Sequence, residues 1–238
     1  MKNKFEIVEW DSNFFDFKVA KINHFDSIEE FNAIKEQLKL EKVKLAYIFS
    51  KPESDIDLTL QHENVFLADE KVTFFQDIGV DKIGVYDSLI KEYKTGIVTD
   101  KMLDIAIQTS EYSRFRVDIN FKNEEFKKLY FQWIKNAVED KDTGKLFIYL
   151  ENNVLKGLIY LKEINDKIGS ISLIGVDEGY RGEQIGTKLI NQAIFYFSNL
   201  GKKEVQVVTQ KANVLACNFY AKNGFQILDT VNVYHLWL

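Results

Sequence analysis

Three short apolar runs, followed at once by a glycine-containing turn and a helix, constrain this chain more than any other feature. KLFIYLE (145–151), VLKGLIYLK (154–162) and KIGSISLIGV (167–176) each have the length and composition of a strand. Asn152-Asn153, between the first two, can sit at positive φ in a tight hairpin turn. The spacing predicts a helix over about 184–199, with Gly201 closing it in a left-handed cap. A Val-rich strand (204–209), a short helix capped by Asn213 and closed by Gly224, and a final strand pair up to Leu238 complete the chain. Upstream, a helix is expected over 100–110. A second, capped by Asn123, carries Phe126, Leu129, Tyr130, Trp133, Ile134 and Ala137 on one face, with Trp133 read as core. The order α-α-β-β-β-α-β-α-β predicts an α/β layer with an antiparallel start and a parallel crossover.

The first hundred residues read as a separate, mixed module. FEIVEW (5–10) alternates like a half-buried strand. Ser27 and Glu30 form a capping box ahead of Ile28, Phe31, Ile34 and Leu38. KLAYIFS (44–50) is strand-like, Pro52 breaks the chain, and VFLADEKVTFFQDI (65–78) reads as one or two strands. A connector at 95–100 suggests a module over 1–95 and a domain over 96–238.

Composition removes several classes. With 46% hydrophobic and 28% charged residues and one proline among 238, the chain is neither fibrous nor disordered. A net charge of −5, with no Lys/Arg run, gives no basic face for nucleic acid or an anionic membrane. One cysteine and three histidines without ligand spacing predict no metal. The start lacks a signal-peptide apolar stretch, and no 18-residue apolar run is present, so a soluble, cytoplasmic protein is expected.

The chemistry is concentrated in ISLIGVDEGYRGEQIGTKLI (171–190). An apolar strand enters a loop with Arg181, Gly182 and Gly186, and a helix begins. Unsatisfied N–H groups at a helix start suit a pyrophosphate, and the two glycines let an anion approach the backbone. Taken alone, the same residues also describe an ordinary strand-to-helix turn.

In context this segment resembles the GNAT superfamily of N-acetyltransferases, whose turn has the pattern (Gln/Arg)-x-x-Gly-x-(Gly/Ala). Arg181-Gly182-Glu183-Gln184-Ile185-Gly186 matches at its first and last positions, and departs at Gln184, where the family usually has glycine. A second family pattern, Asn-x-x-Ala-x-x-(Phe/Leu)-Tyr-x-x-x-Gly-Phe, is met at Asn213, Ala216, Phe219, Tyr220, Gly224 and Phe225. The resemblance implies the acetyltransferase fold with a mixed central sheet and a smaller N-terminal α/β module. It further implies acetyl-CoA as co-substrate, held by the backbone at Ile174 and Val176, by residues 181–187 through Thr187, and by Asn213. An N–H near Val176 would polarise the thioester carbonyl, and Tyr220 would be the general acid for the departing thiolate.

A narrower resemblance, to the dTDP-fucosamine acetyltransferases, runs through WDSNFFDFKVAKI (10–22), SRFRVDINF (113–121), LYFQWI (129–134), VVTQKAN (207–213) and VYHLWL (233–238). It implies acetylation of a dTDP-linked 4-amino-4,6-dideoxy sugar for surface polysaccharide, an acceptor pocket shared with the N-terminal module, and a homodimer formed through the last strands. Other acceptors, namely a protein N-terminus or a small amine, stay open, as does an acyl-CoA-binding module without turnover.

Each candidate also has a plainer role. Tyr220 could fill a core edge, and Asn213 could be an N-cap as well as a coenzyme contact. Arg114 and Arg116 would share a face and reach a diphosphate together if SRFR is extended. If it is helical, one would brace Asp118. His235 is either a base or acceptor contact on the last strand, or a structural histidine. His24 and His62 receive no role, and Cys217 is read as packing.

Overall fold

The computed structural model describes residues 4–63, 65–79, 87–139 and 144–238. In chain order the elements are β1 (Phe5–Ile7), α1 (Glu9–Phe15), β2 (Lys18–Ile22), α2 (Ile28–Leu40), β3 (Val43–Ser50), α3 (Asp55–Gln61), β4 (Phe66–Asp77), β5 (Ile90–Glu92), α4 (Asp100–Gln108) and α5 (Arg114–Val117). Beyond them lie α6 (Glu125–Val138), β6 (Lys145–Glu151), β7 (Val154–Glu163), β8 (Ile168–Val176), α7 (Ile185–Asn199), β9 (Glu204–Gln210), α8 (Val214–Lys222) and β10 (Gln226–Trp237). Contacts divide the chain into two units. One runs to Val72 and takes in Asp229–Leu238; the other is Thr73–Leu228.

In the first unit the strand order is β1-β2-β3-β10, with only the β2–β3 pair parallel. Phe31, Ile34 and Leu38 of α2 pack on Val43, Ala46 and Ile48 of β3 and on Tyr234 and Leu236 of β10. Ser27 caps α2 through the Glu30 N–H (3.2 Å), and the Glu30 carboxylate accepts the Asp26 N–H (2.8 Å). FEIVEW is not one strand. The chain leaves β1 at Ile7 and winds into α1, where Ser12 Oγ donates to Val8 O and accepts the Val19 N–H. Glu9 and Asp11 favour that first turn electrostatically. The expected final strand pair is the single strand β10, and 66–77 is likewise one strand.

In the second unit the strand order is β9-β8-β7-β6-β5, antiparallel except for β8–β9. Asn152 and Asn153 both have positive φ (51° and 62°), as the β6–β7 hairpin turn requires. Met102, Ile105 and Ala106 of α4 and Tyr130, Ile134 and Ala137 of α6 cover Leu146, Ile148, Leu158 and Tyr160. Trp133, expected in that core, is 39% exposed: the buried stripe of α6 runs through Leu129, Tyr130, Ile134, Ala137 and Val138. Asn123 does not cap α6; the N-cap is Glu124 at φ 53°.

A bulge in β8 sets the direction of the strand's last residues. Tyr160 pairs with Leu173 and Leu161 with Ile171, so Ser172 is an extra residue. It reverses the side-chain alternation. Gly169 lies against Phe197 of α7, whereas Gly175 lies against Ile105 and Thr109 at the end of α4.

Candidate functional site

β8 and β9 are paired only from Ile168 with Glu204 to Ile171 with Val207. Past the bulge, β8 runs on to Val176 paired with β7 alone. The Asp177 N–H donates to Lys156 O (2.9 Å), which is on β7. Alternation then turns the Val176 and Ile174 amides to the edge that β9 has left. The Val176 carbonyl, on that same edge, accepts from Arg181 Nε (3.3 Å).

The turn after β8 is a short 3₁₀ turn (Glu178–Tyr180) and a loop entering α7. Gly182 (φ 87°) and Gln184 (φ 61°) are both left-handed. The first amide of this stretch with a helical partner is that of Lys188, which donates to Gln184 O (3.0 Å). Among the described residues, the N–H groups of Gly182, Glu183, Gln184, Ile185, Gly186 and Thr187 make no hydrogen bond. No atom lies within 4 Å of where a Gly182 Cβ would be. Consecutive amides without a partner among the described residues, at a helix start whose residues 182–184 are exposed, can take an anion such as a diphosphate. Gln184 occupies a conformation that glycine adopts without cost, so the departure seen in the sequence falls on a strained residue.

Asp177, which sequence reasoning missed, braces this turn. Its buried carboxylate pairs with Lys101, accepts from Gln108 Nε2 (3.4 Å) and from the Gly179 N–H (3.1 Å). The Lys101 ammonium outweighs burial and, with Gln108 and Gly179, holds the carboxyl below the usual range. Gln108 Oε1 also accepts the Glu178 N–H (2.9 Å), so two side chains of α4 fix the turn. The Asp-Glu-Gly sequence carried a signal: an Asp two residues before glycine is an Asx-turn.

On α8, Asn213 Oδ1 accepts the Ala216 N–H (3.1 Å), an N-cap as expected. Tyr220 is buried among Phe74, Phe219 and Phe225, with ring centroids 5.4–5.9 Å away. Its hydroxyl has no hydrogen-bond partner among the described residues. Burial, and then Cys217 nearby, raise its pKa well above that of free phenol, so it keeps its proton. Phe219 ties this helix to the turn: a Cβ on Gly186 would stand 3.0 Å from its ring. Gly224 (φ 86°) closes α8 against Gln76. Cys217 is half-buried, with Sγ 3.6 Å from Gln210 O.

Arg114 and Arg116 lie on the single helical turn α5, so the extended alternative does not hold. Two residues apart on a helix, they point to different sides. Arg116 is exposed, stacks over Phe126 at 5.1 Å and donates to Ser110 Oγ (3.3 Å). Asp118 is buried and accepts from Asn120. His235 belongs to the other unit, buried on β10 opposite Tyr47 of β3 with rings 5.2 Å apart. No group of three or more His, Cys, Asp or Glu able to hold a metal occurs among the described residues, and no helix there is long and apolar enough to cross a membrane.

Residues 105–225, which include the turn and α8, match the family described as acetyltransferase (GNAT) family. The chain belongs to this family. It is an acyl-CoA-dependent N-acetyltransferase, and the GNAT fold implies use of acetyl-CoA. The chain is 31% identical over 119 residues to streptothricin acetyltransferase A of Bacillus subtilis, a match covering 47% of this chain and 68% of that one. It is 29% identical to an uncharacterized N-acetyltransferase of Methanocaldococcus jannaschii, covering 60% of this chain and 65% of that one. The crystal structure of a GCN5-related N-acetyltransferase from Sphaerobacter thermophilus superposes with a TM-score of 0.60 at 11% identity, over 98% of this chain and 76% of that one, a likeness of fold.

Proposed function

We propose that this acetyltransferase moves the acetyl group of acetyl-CoA to the amino group of a dTDP-linked 4-amino-4,6-dideoxy sugar in surface-polysaccharide synthesis. The observation that carries the donor half is the run of free amides from Gly182 to Thr187 beside the edge that β9 leaves open. The acceptor half is supported by the likeness at residues 10–22, 113–121, 129–134, 207–213 and 233–238 to enzymes of that specificity.

In this reading each residue does one thing. The amides of 182–187 hold the diphosphate, and Gly182 and Gly186 keep side chains out of its way. Ile174 and Val176 offer backbone groups along the open edge to the pantetheine arm. The Val176 N–H donates to the carbonyl oxygen on which charge develops, a kind of contact worth about 10²–10³ in rate. Acetyl-CoA supplies an activated acyl thioester, whose departing thiolate needs a proton. The acceptor amine attacks the carbonyl carbon directly. Tyr220, which is protonated, gives its proton to the sulfur as the bond to carbon breaks, and the proton the amine loses passes to water, from which the phenolate is reprotonated. Arg116, exposed and over the Phe126 ring, offers a guanidinium to a phosphate of the acceptor.

A second reading, a small-molecule amine as acceptor, is favoured by the identity to the streptothricin enzyme. One experiment separates them: thiol release from acetyl-CoA with a panel of amines, products checked by mass. The panel holds dTDP-4-amino-4,6-dideoxy-galactose, its gluco epimer, the 3-amino isomer, a UDP analogue and streptothricin. Turnover confined to a dTDP sugar is expected. Turnover of streptothricin alone transfers the assignment to the second reading.

A further inference from the structure

The amide turn carries a carboxylate of its own. Glu183 stands between Gly182 and Gln184, half-exposed, where a negative charge opposes any diphosphate held by the neighbouring N–H groups. Its partner is Lys156 of β7, whose Nζ lies 3.3 Å from Glu183 Oε2, beside the Glu151 carboxylate and 4.5 Å from the Tyr180 ring centroid. The Lys156 side chain is only 12% exposed, so the ammonium is held in place rather than free to swing. Its own carbonyl accepts the Asp177 N–H. One residue therefore anchors both the strand end and the loop beyond it.

We infer that Lys156 is a positioning residue for the donor: by holding the Glu183 carboxylate it stops that charge from opposing a diphosphate at the turn. The inference rests on the amide turn being the diphosphate site. Among the described residues the Glu183 carboxylate is paired with Lys156 and not with Arg181, whose Nε donates to the Val176 carbonyl. A unit charge facing a dianion at a few ångströms in a largely solvated site changes affinity about tenfold.

Calorimetric titration with acetyl-CoA, and with acetyl-pantetheine, which lacks the diphosphate, tests this in wild type, Lys156→Met, Glu183→Gln and the double variant. Wild type is expected to prefer acetyl-CoA. Lys156→Met should lose about tenfold in acetyl-CoA affinity and none for acetyl-pantetheine. The double variant should regain most of the loss, and Lys156→Arg should retain wild-type affinity. Wild type binding the two donors equally would sink the amide-turn reading and this inference with it. A preference for acetyl-CoA that Lys156→Met leaves intact, or a loss that Glu183→Gln does not restore, overturns the role of Lys156 alone. If Lys156→Met does not fold, Glu183→Gln decides by itself: equal or tighter acetyl-CoA binding agrees, and weaker binding refutes.

Discussion

Asp57 in the first unit and the turn Gly182–Thr187 in the second treat buried or crowded polar groups in opposite ways. The Asp57 carboxylate, 1% exposed, accepts from Asn232 (2.7 Å), Tyr234 (2.8 Å), Ser50, Gln61 and the Glu53 N–H (each 3.0 Å). Burial pushes its carboxyl up, but these donors outweigh that and hold it below the usual range. Burial, and next the Asp57 hydrogen bond, raise Tyr234 to about 12. Both carboxylate oxygens are engaged, and of their partners Asn232 keeps a buried Oδ1 without a hydrogen bond among the described residues. In the second unit the six amides make no hydrogen bond among the described residues, and the polar side chains around them act as braces. Saturated polar clusters hold a fold together; open ones, kept rigid by saturated neighbours, are where ligands bind.

Losses at the two places should therefore fall on different observables. The largest effect is on rate: Tyr220→Phe should lower kcat about 10²–10⁴-fold. Thermal midpoint and acetyl-CoA affinity should hardly move, since only a hydroxyl is lost and the ring packing among Phe74, Phe219 and Phe225 is kept. Activity that survives this change would remove Tyr220 from the mechanism.

The converse holds at Asp57. Asp57→Ala strands several buried donors and should cost about 3 kcal/mol. At this chain length that is a fall of about 6–12 °C in thermal midpoint, if the units melt together. Surviving molecules should bind acetyl-CoA as wild type does.

Acid sharpens the same contrast. Asp57 and Asp177 both have folded pKa values below the ordinary carboxylate range. Their contribution is present above an unfolded value of about 3.9 and is lost as pH falls through the lower folded values. Wild type should therefore lose stability on acidification, and Asp57→Asn or Asp177→Asn should each flatten that limb in chemical denaturation series from pH 6 to pH 2.

The smallest effect is a gain. Gln184 sits at φ 61° with no cap bond from its side chain. Gln184→Gly should raise stability by about 0.5–1 kcal/mol, or about 2 °C, read by calorimetry. A fall would mean the glutamine side chain has a partner worth more than the strain.

Much of the second unit was legible because each signal was local. The Asn-Asn turn, the Asn213 cap, and the glycines that close α7 and α8 act within four residues of themselves. What failed was longer-range. FEIVEW alternates like a strand, yet Ser12 bonding to Val8 and Val19 turns it into a helix. α3 was not anticipated: it buries only Asp57 and Leu60, and besides Glu53 and Gln61 nearby the Asp57 carboxylate depends on Ser50, 7 residues away, and on Asn232 and Tyr234, more than 170 away. Trp133 has the right helical phase for burial, but it lies to one side of the buried stripe of α6, which is Leu129, Tyr130, Ile134, Ala137 and Val138. The spacing of Arg114 and Arg116 was equally compatible with a strand and with a helical turn.

The sequence by itself determined the fold class, the order of elements from α6 to α8, and the residues of the amide turn and the α8 helix, because those depend on periodicity and short-range stereochemistry. Only the tertiary structure decided that Ser172 bulges and so turns Val176 toward α7 and Gly175 toward α4. Only it showed that Lys101 and Gln108 reach across to Asp177, that Lys156 meets Glu183, and that β10 returns to the first unit. Those outcomes depend on which side chains meet after distant segments pack, and no local pattern encodes a partner 27, 76 or 175 residues away.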